Sequence, residues 1–207
     1  MYLVALTTLA LAQDGGDVGL YAPAPPPGSA FVRLINVGAA PVSGKVGKYA
    51  TGSVATGGAS PYWAVPGGEV PITVGTKSQS VQATSGGFVS IVVGLPGKAD
   101  PVPLVDTVSA NRAKASIVMY NLSSQQGVDL VTADGKVSLF TDIAAGAESM
   151  REVNALSVAF AVNGPAAPVT TFPTVTLERG SAYSVLVYES AGTLAAAWVT
   201  NSTGAVK

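Results

Sequence analysis

After its first dozen residues, this 207-residue chain nowhere joins a 3.6-residue apolar period to a stretch free of glycine and proline. A helix of ordinary length needs both, because glycine and proline interrupt its backbone. What recurs instead is short runs of β-branched and aromatic residues, closed by turn formers at intervals of about 8–12 residues. Phe31–Ile35, Val70–Val74, Phe88–Val93, Ser116–Tyr120, Val128–Thr132, Val137–Phe140, Leu156–Val162, Thr174–Leu177, Tyr183–Tyr188 and Leu194–Thr200 all read this way. Asp134-Gly135 between two of these runs is a hairpin signal, since both residues tolerate positive φ. A parallel sheet would need crossover helices, and no segment offers one. The expected fold is all-β.

The runs repeat weakly. Val32-Arg33-Leu34-Ile35-Asn36 is similar to Ile117-Val118-Met119-Tyr120-Asn121, 85 positions on, and Phe88–Val93 is similar to Tyr183–Val187, about 94 positions on. Two copies of one unit give two tandem small antiparallel β-sandwich domains, each near the size of an immunoglobulin-like module. We place them at 18–98 and 112–207, with 99–111 as a linker stiffened by Pro101 and Pro103.

Composition narrows the chemistry. The chain has no histidine and no cysteine. The Ser-His-Asp and Cys-His machineries are therefore excluded, as are zinc, iron–sulfur and ordinary haem sites. No metal site or cofactor is expected, and no enzyme activity. A net charge of −1 offers no field for nucleic acid. Residues 1–12, MYLVALTTLALA, are apolar and end in a small-x-small pattern, although no basic residue precedes them. They read as a signal-peptide remnant cleaved after Ala12, which makes the mature chain an exported one.

Further segments match a known pattern. Leu20-Tyr21-Ala22-Pro23 is followed by Pro26-Pro27-Gly28-Ser29-Ala30-Phe31-Val32-Arg33. Later come Tyr120-Asn121-Leu122-Ser123, Thr132-Ala133-Asp134-Gly135-Lys136, Arg151-Glu152-Val153-Asn154, Leu177-Glu178-Arg179-Gly180 and Trp198-Val199. In order and spacing the chain resembles the AlgF family of periplasmic alginate O-acetylation proteins from about residue 20 to 200. The segment 42–81 departs from that pattern, and Ala155 stands where proline is expected. The resemblance implies a non-catalytic adaptor that works beside SGNH-type acetyltransferases and a membrane-bound O-acyltransferase. A protein serving another acetylated polymer, such as cellulose, would carry the same pattern. It does not supply functional residues.

Candidate binding residues therefore come from the chain's own chemistry. Residues 18–98 carry Arg33, Lys45, Lys48, Lys77 and Lys98 against Glu69 alone, a net of +4. With Tyr62 and Trp63, Arg33, Lys45 and Lys48 make a candidate polymer-facing surface, because cations suit a polyanion and aromatic rings suit sugars. This is the alternative reading, a carbohydrate-binding module. Arg151, Glu152 and Arg179 are candidates for docking a partner protein, weighed against simple ion pairs within the domain. The twelve carboxylates fall mostly in turns or the linker, where solvation is expected.

Overall fold

The computed structural model describes residues 25–204. The signal-peptide segment 1–12 lies outside them. The first half contributes β1 (Ser29–Asn36), β2 (Val42–Val46), β3 (Tyr49–Val54), β4 (Gly58–Ala59), β5 (Trp63–Pro66), β6 (Gly68–Val74), β7 (Lys77–Ala83), β8 (Phe88–Val93) and β9 (Val102–Val105). The second contributes β10 (Ala115–Asn121), β11 (Val128–Thr132), β12 (Ser138–Ile143), β13 (Glu148–Val153), β14 (Ser157–Val158), β15 (Phe160–Asn163), β16 (Pro168–Thr171), β17 (Val175–Thr176), β18 (Ala182–Ser190) and β19 (Thr193–Thr200). Among the described residues there is no helix.

Each half is a sandwich of two main sheets, and in the second β14 and β17 add a separate antiparallel pair. In the first, β4-β1-β8-β9, with β5 also on β1, faces β3-β2-β6-β7. In the second, β13-β10-β18-β19 faces β12-β11-β15-β16. Alternate residues of the inner faces make the two cores. Val32, Leu34, Val89 and Ile91 meet Val46, Val70, Ile72 and Val81, while Ile117, Met119 and Val185 meet Leu130, Phe140, Phe160 and Val162. Trp198 joins the second core, stacked on Phe160 at 5.4 Å.

The sheets are mostly antiparallel, but each half holds one parallel pair, β1 with β8 and β10 with β18. No helix is needed because the opposite sheet makes the crossover. The chain leaves β1, builds β2, β3, β6 and β7, and returns as β8. The repeat is structural. Arg33 pairs with Ser90 and Asn36 with Val93; 85 and 94 residues later, Val118 pairs with Ser184 and Asn121 with Val187. Asn36 and Asn121 are both fully buried. Asn36 donates to the carbonyls of Ala40 and Val54, and Asn121 to those of Gln125 and Ile143, so each ties off the turn after its strand.

Segment 99–111, read as a linker, contains β9, which is hydrogen-bonded to β8. The strands β1, β8, β10 and β18 are covered on both faces. Their outer faces meet in a third apolar cluster that includes Ile35, Val92, Val118, Tyr120, Leu186 and Tyr188, so the two sandwiches pack directly on each other.

Candidate functional site: the seam and cleft between the halves

Period-2 alternation decides what reaches this seam. With Val32 and Leu34 committed to the first core, Arg33 must point to the opposite face of β1. There it is 1% exposed. A buried guanidinium demands partners, and it has four hydrogen bonds. Nε donates to Ser90 Oγ at 2.7 Å, Nη1 to Asn201 Oδ1 at 2.8 Å, and Nη2 to Tyr120 Oη and Ser184 Oγ, each at 3.2 Å. Its Cζ also lies 4.5 Å from the centroid of the Tyr62 ring.

The counter-charge is Asp106, 7% exposed, just past β9. It accepts from Tyr62 Oη at 2.9 Å, Ser90 Oγ at 2.8 Å and Tyr120 Oη at 2.8 Å. Ser90 and Tyr120 each accept from Arg33 and donate to Asp106, so two hydroxyl relays join the charges. Burial pushes the phenols of Tyr62 and Tyr120 well above their ordinary value, against the opposing pull of Arg33. Both phenols are held as neutral donors.

Residues 202–204 close the seam. The Tyr62 N–H donates to the Ser202 carbonyl and the Gly204 N–H to the Tyr62 carbonyl, both at 2.8 Å. On the other side, Thr107 donates to Glu148 and both Ser109 and Asn111 donate to Glu152. These bonds pull the Glu152 carboxyl below its usual range. Between segment 107–111 and residues Asn201 and Thr203 lies a cleft of about 580 Å³, with Arg112 and Lys114 among its lining residues.

The structure corrects several expectations. Arg33 and Tyr62 (4% exposed) are interior groups of the seam, because both faces of their sheet are covered, and they offer no surface to polymer or partner. Trp63 is half-buried, stacked on Tyr49 at 5.0 Å. Gly204 lies so close to it that a Cβ there would fall 2.2 Å from the indole. Lys48 lies over the Tyr49 ring, so Lys48, Tyr49 and Trp63 do come together. Lys45, Arg151 and Arg179 are exposed and apart from the seam network. Arg151–Glu152 and Glu178–Arg179 make no ion pairs; among the described residues the ion pairs are Lys77–Asp100 and Lys136–Asp134.

Sequence reasoning missed Asp106, Tyr120, Ser184 and Asn201. Two signals pointed to them: a lone arginine in an otherwise apolar strand, and a serine at the third position of both β8 and β18.

A family model described as Alginate O-acetyl transferase AlgF matches residues 3–184. This chain belongs to the AlgF family. It is 35% identical over 186 residues to the alginate biosynthesis protein AlgF of Pseudomonas putida, covering 90% of this chain and 85% of that one. Against AlgF of Pseudomonas aeruginosa the identity is 32% over 196 residues, covering 95% and 89% of the two chains. The solved C-terminal domain of the P. aeruginosa AlgF covers 43% of this chain and 99% of its own, at 34% identity and a TM-score of 0.40. Its solved N-terminal domain covers 40% and 98%, at 30% identity and a TM-score of 0.34. The family link makes this a protein of alginate biosynthesis and O-acetylation.

Proposed function

We propose that this AlgF-family protein is a periplasmic, non-catalytic adaptor in alginate O-acetylation, holding an SGNH-type acetyltransferase and a membrane-bound O-acyltransferase within reach of the polymer. The observation that carries the reading is the commitment of the buried polar groups. Ser184 donates to Asn201, which is no base, and Ser90, although it donates to the Asp106 carboxylate, is fully buried and also held by Arg33, so no acyl donor can reach it. Asp106 spends both oxygens on hydroxyls that brace the seam. With no imidazole or thiol in the chain, this polar centre supports rigidity better than acyl transfer. Two sandwiches locked together hold bound enzymes at a fixed separation and raise their effective concentration at the polymer.

Deletion of the gene should abolish polymer acetylation and leave polymer synthesis intact, and the tagged protein should co-purify an acetyltransferase from the envelope. Acetyl transfer by the purified chain alone, or loss of the polymer itself, would overturn the reading. Direct contact with polymer is a second reading, supported by Lys48, Tyr49 and Trp63 beside a groove of about 630 Å³ that Lys48 and Tyr49 line. Titration with oligouronates, compared between wild type and Trp63→Ala, measures it.

A further inference from the structure

The cleft between the halves gathers hydrogen-bond donors that the protein itself leaves without acceptors. Ser116 lines it at 7% exposure, and its hydroxyl has no hydrogen-bond partner among the described residues. Ser181, half-buried, also lines it, and its hydroxyl likewise has no hydrogen-bond partner among the described residues. Asn201 spends its side-chain oxygen on Arg33 and Ser184, so what it offers the cleft is its amide nitrogen, a donor only. Arg112 and Lys114 complete the lining, both exposed and neither in an ion pair among the described residues. Glu152 lies close enough to Lys114 to feel its charge, but its two oxygens are taken by Ser109 and Asn111. A buried hydroxyl, an amide and two cations around one cavity form an environment that wants a carboxylate.

The aromatic groups decide between a sugar and a peptide. A uronate ring needs an open aromatic face, but Tyr62 and Tyr120 are 4% and 1% exposed. Phe88 is taken up by Phe31, stacked at 4.5 Å, and by the edge of Tyr62 at 5.1 Å. The cleft margin carries aliphatic surface instead: Val108 lines the cavity at 47% exposure, and Val105, a few residues before it, is 79% exposed. A peptide that places an acidic side chain beside an apolar one matches both features.

We infer that the inter-domain cleft is the docking seat for an acidic, apolar-flanked segment of a partner protein, its carboxylate received by Ser116, Asn201, Arg112 and Lys114. The inference rests on the adaptor reading and names the surface through which a partner is held.

The test places a photo-crosslinking benzoylphenylalanine at Val108 of the full chain expressed in its host, with Val137 (53% exposed and outside the cleft) as the control position. Crosslinked peptides are identified by mass spectrometry. At Val108 the adduct should fall on a partner segment containing Asp or Glu, and Val137 should not give that adduct. Arg112→Glu with Lys114→Glu should lower the yield about tenfold, since charges at an interface margin govern encounter and partner choice, while the melting temperature stays unchanged. Adducts on polysaccharide overturn the inference, and so does an undiminished yield in the charge-reversed protein. If Val108 gives no adduct while the unmodified protein still co-purifies an acetyltransferase, this site assignment fails and the adaptor reading stands. If no acetyltransferase co-purifies at all, both fall.

Discussion

At the scale of single residues, the molecule turns on Arg33 and Asp106, two charges buried between the sandwiches and joined through hydroxyls. Removing one strands the other. Arg33→Met leaves the Asp106 carboxylate without its cation and should cost about 3–5 kcal/mol, which lowers Tm by roughly 10 °C for a chain of this size. Adding Asp106→Asn removes the remaining charge but keeps an acceptor, so the double variant should recover part of the loss. Thermal unfolding of the two singles and the double measures the coupling, and strict additivity would contradict it. The tyrosines set a pH limit. Tyr62 and Tyr120 are raised above 10.0 in the folded state, chiefly by burial. Their contribution is therefore complete below pH 10 and is lost as pH climbs from there toward the raised values. Each tyrosine should withdraw about 1.4 kcal/mol per pH unit in that window. Ultraviolet difference absorbance followed alongside circular dichroism should show these two phenols ionising only as the fold is lost. Ionisation of all the tyrosines near pH 10 with the fold intact would contradict it. None of this was legible locally. A lone arginine in an apolar strand signals an unusual place, but whether its face meets water depends on residues some 85 positions away.

Elements were more legible. The short strands, the Asp134-Gly135 hairpin and the two-copy repeat could all be read from pattern, because alternation and turn chemistry act over a few residues. The parallel pairs could not, since nothing in β1 or β8 says which strand lies beside it. The strand β9 was hidden by the prolines of its segment, which an edge strand tolerates on its open side. One close approach fixes how β1 and β8 end together. Gly94, just past β8, has φ +86°, and a Cβ on it would lie 2.3 Å from the Cα and nitrogen of Gly38. Those are backbone atoms and cannot swing aside. Gly94→Ala should therefore cost about 3 kcal/mol, combining left-handed strain with overpacking. Gly97→Ala shares the positive φ, at +67°, but meets no atom within 4 Å. It should cost only about 1 kcal/mol. Denaturant midpoints of the two variants compare steric contact against strain alone, and equal midpoints would show that the approach of Gly38 does not matter.

At the scale of the whole molecule, the two sandwiches should behave as one body. Four features tie them: the apolar cluster around Ile35, Val92, Val118 and Leu186, the Arg33–Asp106 network, the bonds from segment 107–111 to Glu148 and Glu152, and residues 201–204, which leave β19 in the second half and return to the first. The return is specific. Thr203 bridges to Tyr62 in parallel, Gly204 packs against Trp63, and Asn201 accepts from Arg33. Cutting the chain after Thr200 removes all three contacts but spares every strand of both cores. What remains, the apolar cluster with the rest of the Arg33–Asp106 network and the bonds to Glu148 and Glu152, is an inter-domain interface of the kind that permits relative motion. The full chain should therefore unfold in a single calorimetric transition, with calorimetric and van't Hoff enthalpies in agreement. The shortened chain should show a lower first transition that separates from the second, because Arg33 has lost an acceptor and β5 its neighbour. A shortened chain that still melts once, at the original temperature, would mean that the seam needs no clasp. The outcome bears on function, since an adaptor that sets the spacing of bound enzymes works only while its halves stay fixed. Asn201 belongs to both the clasp and the cleft, so the same deletion should weaken partner capture at Val108 even where both sandwiches remain folded.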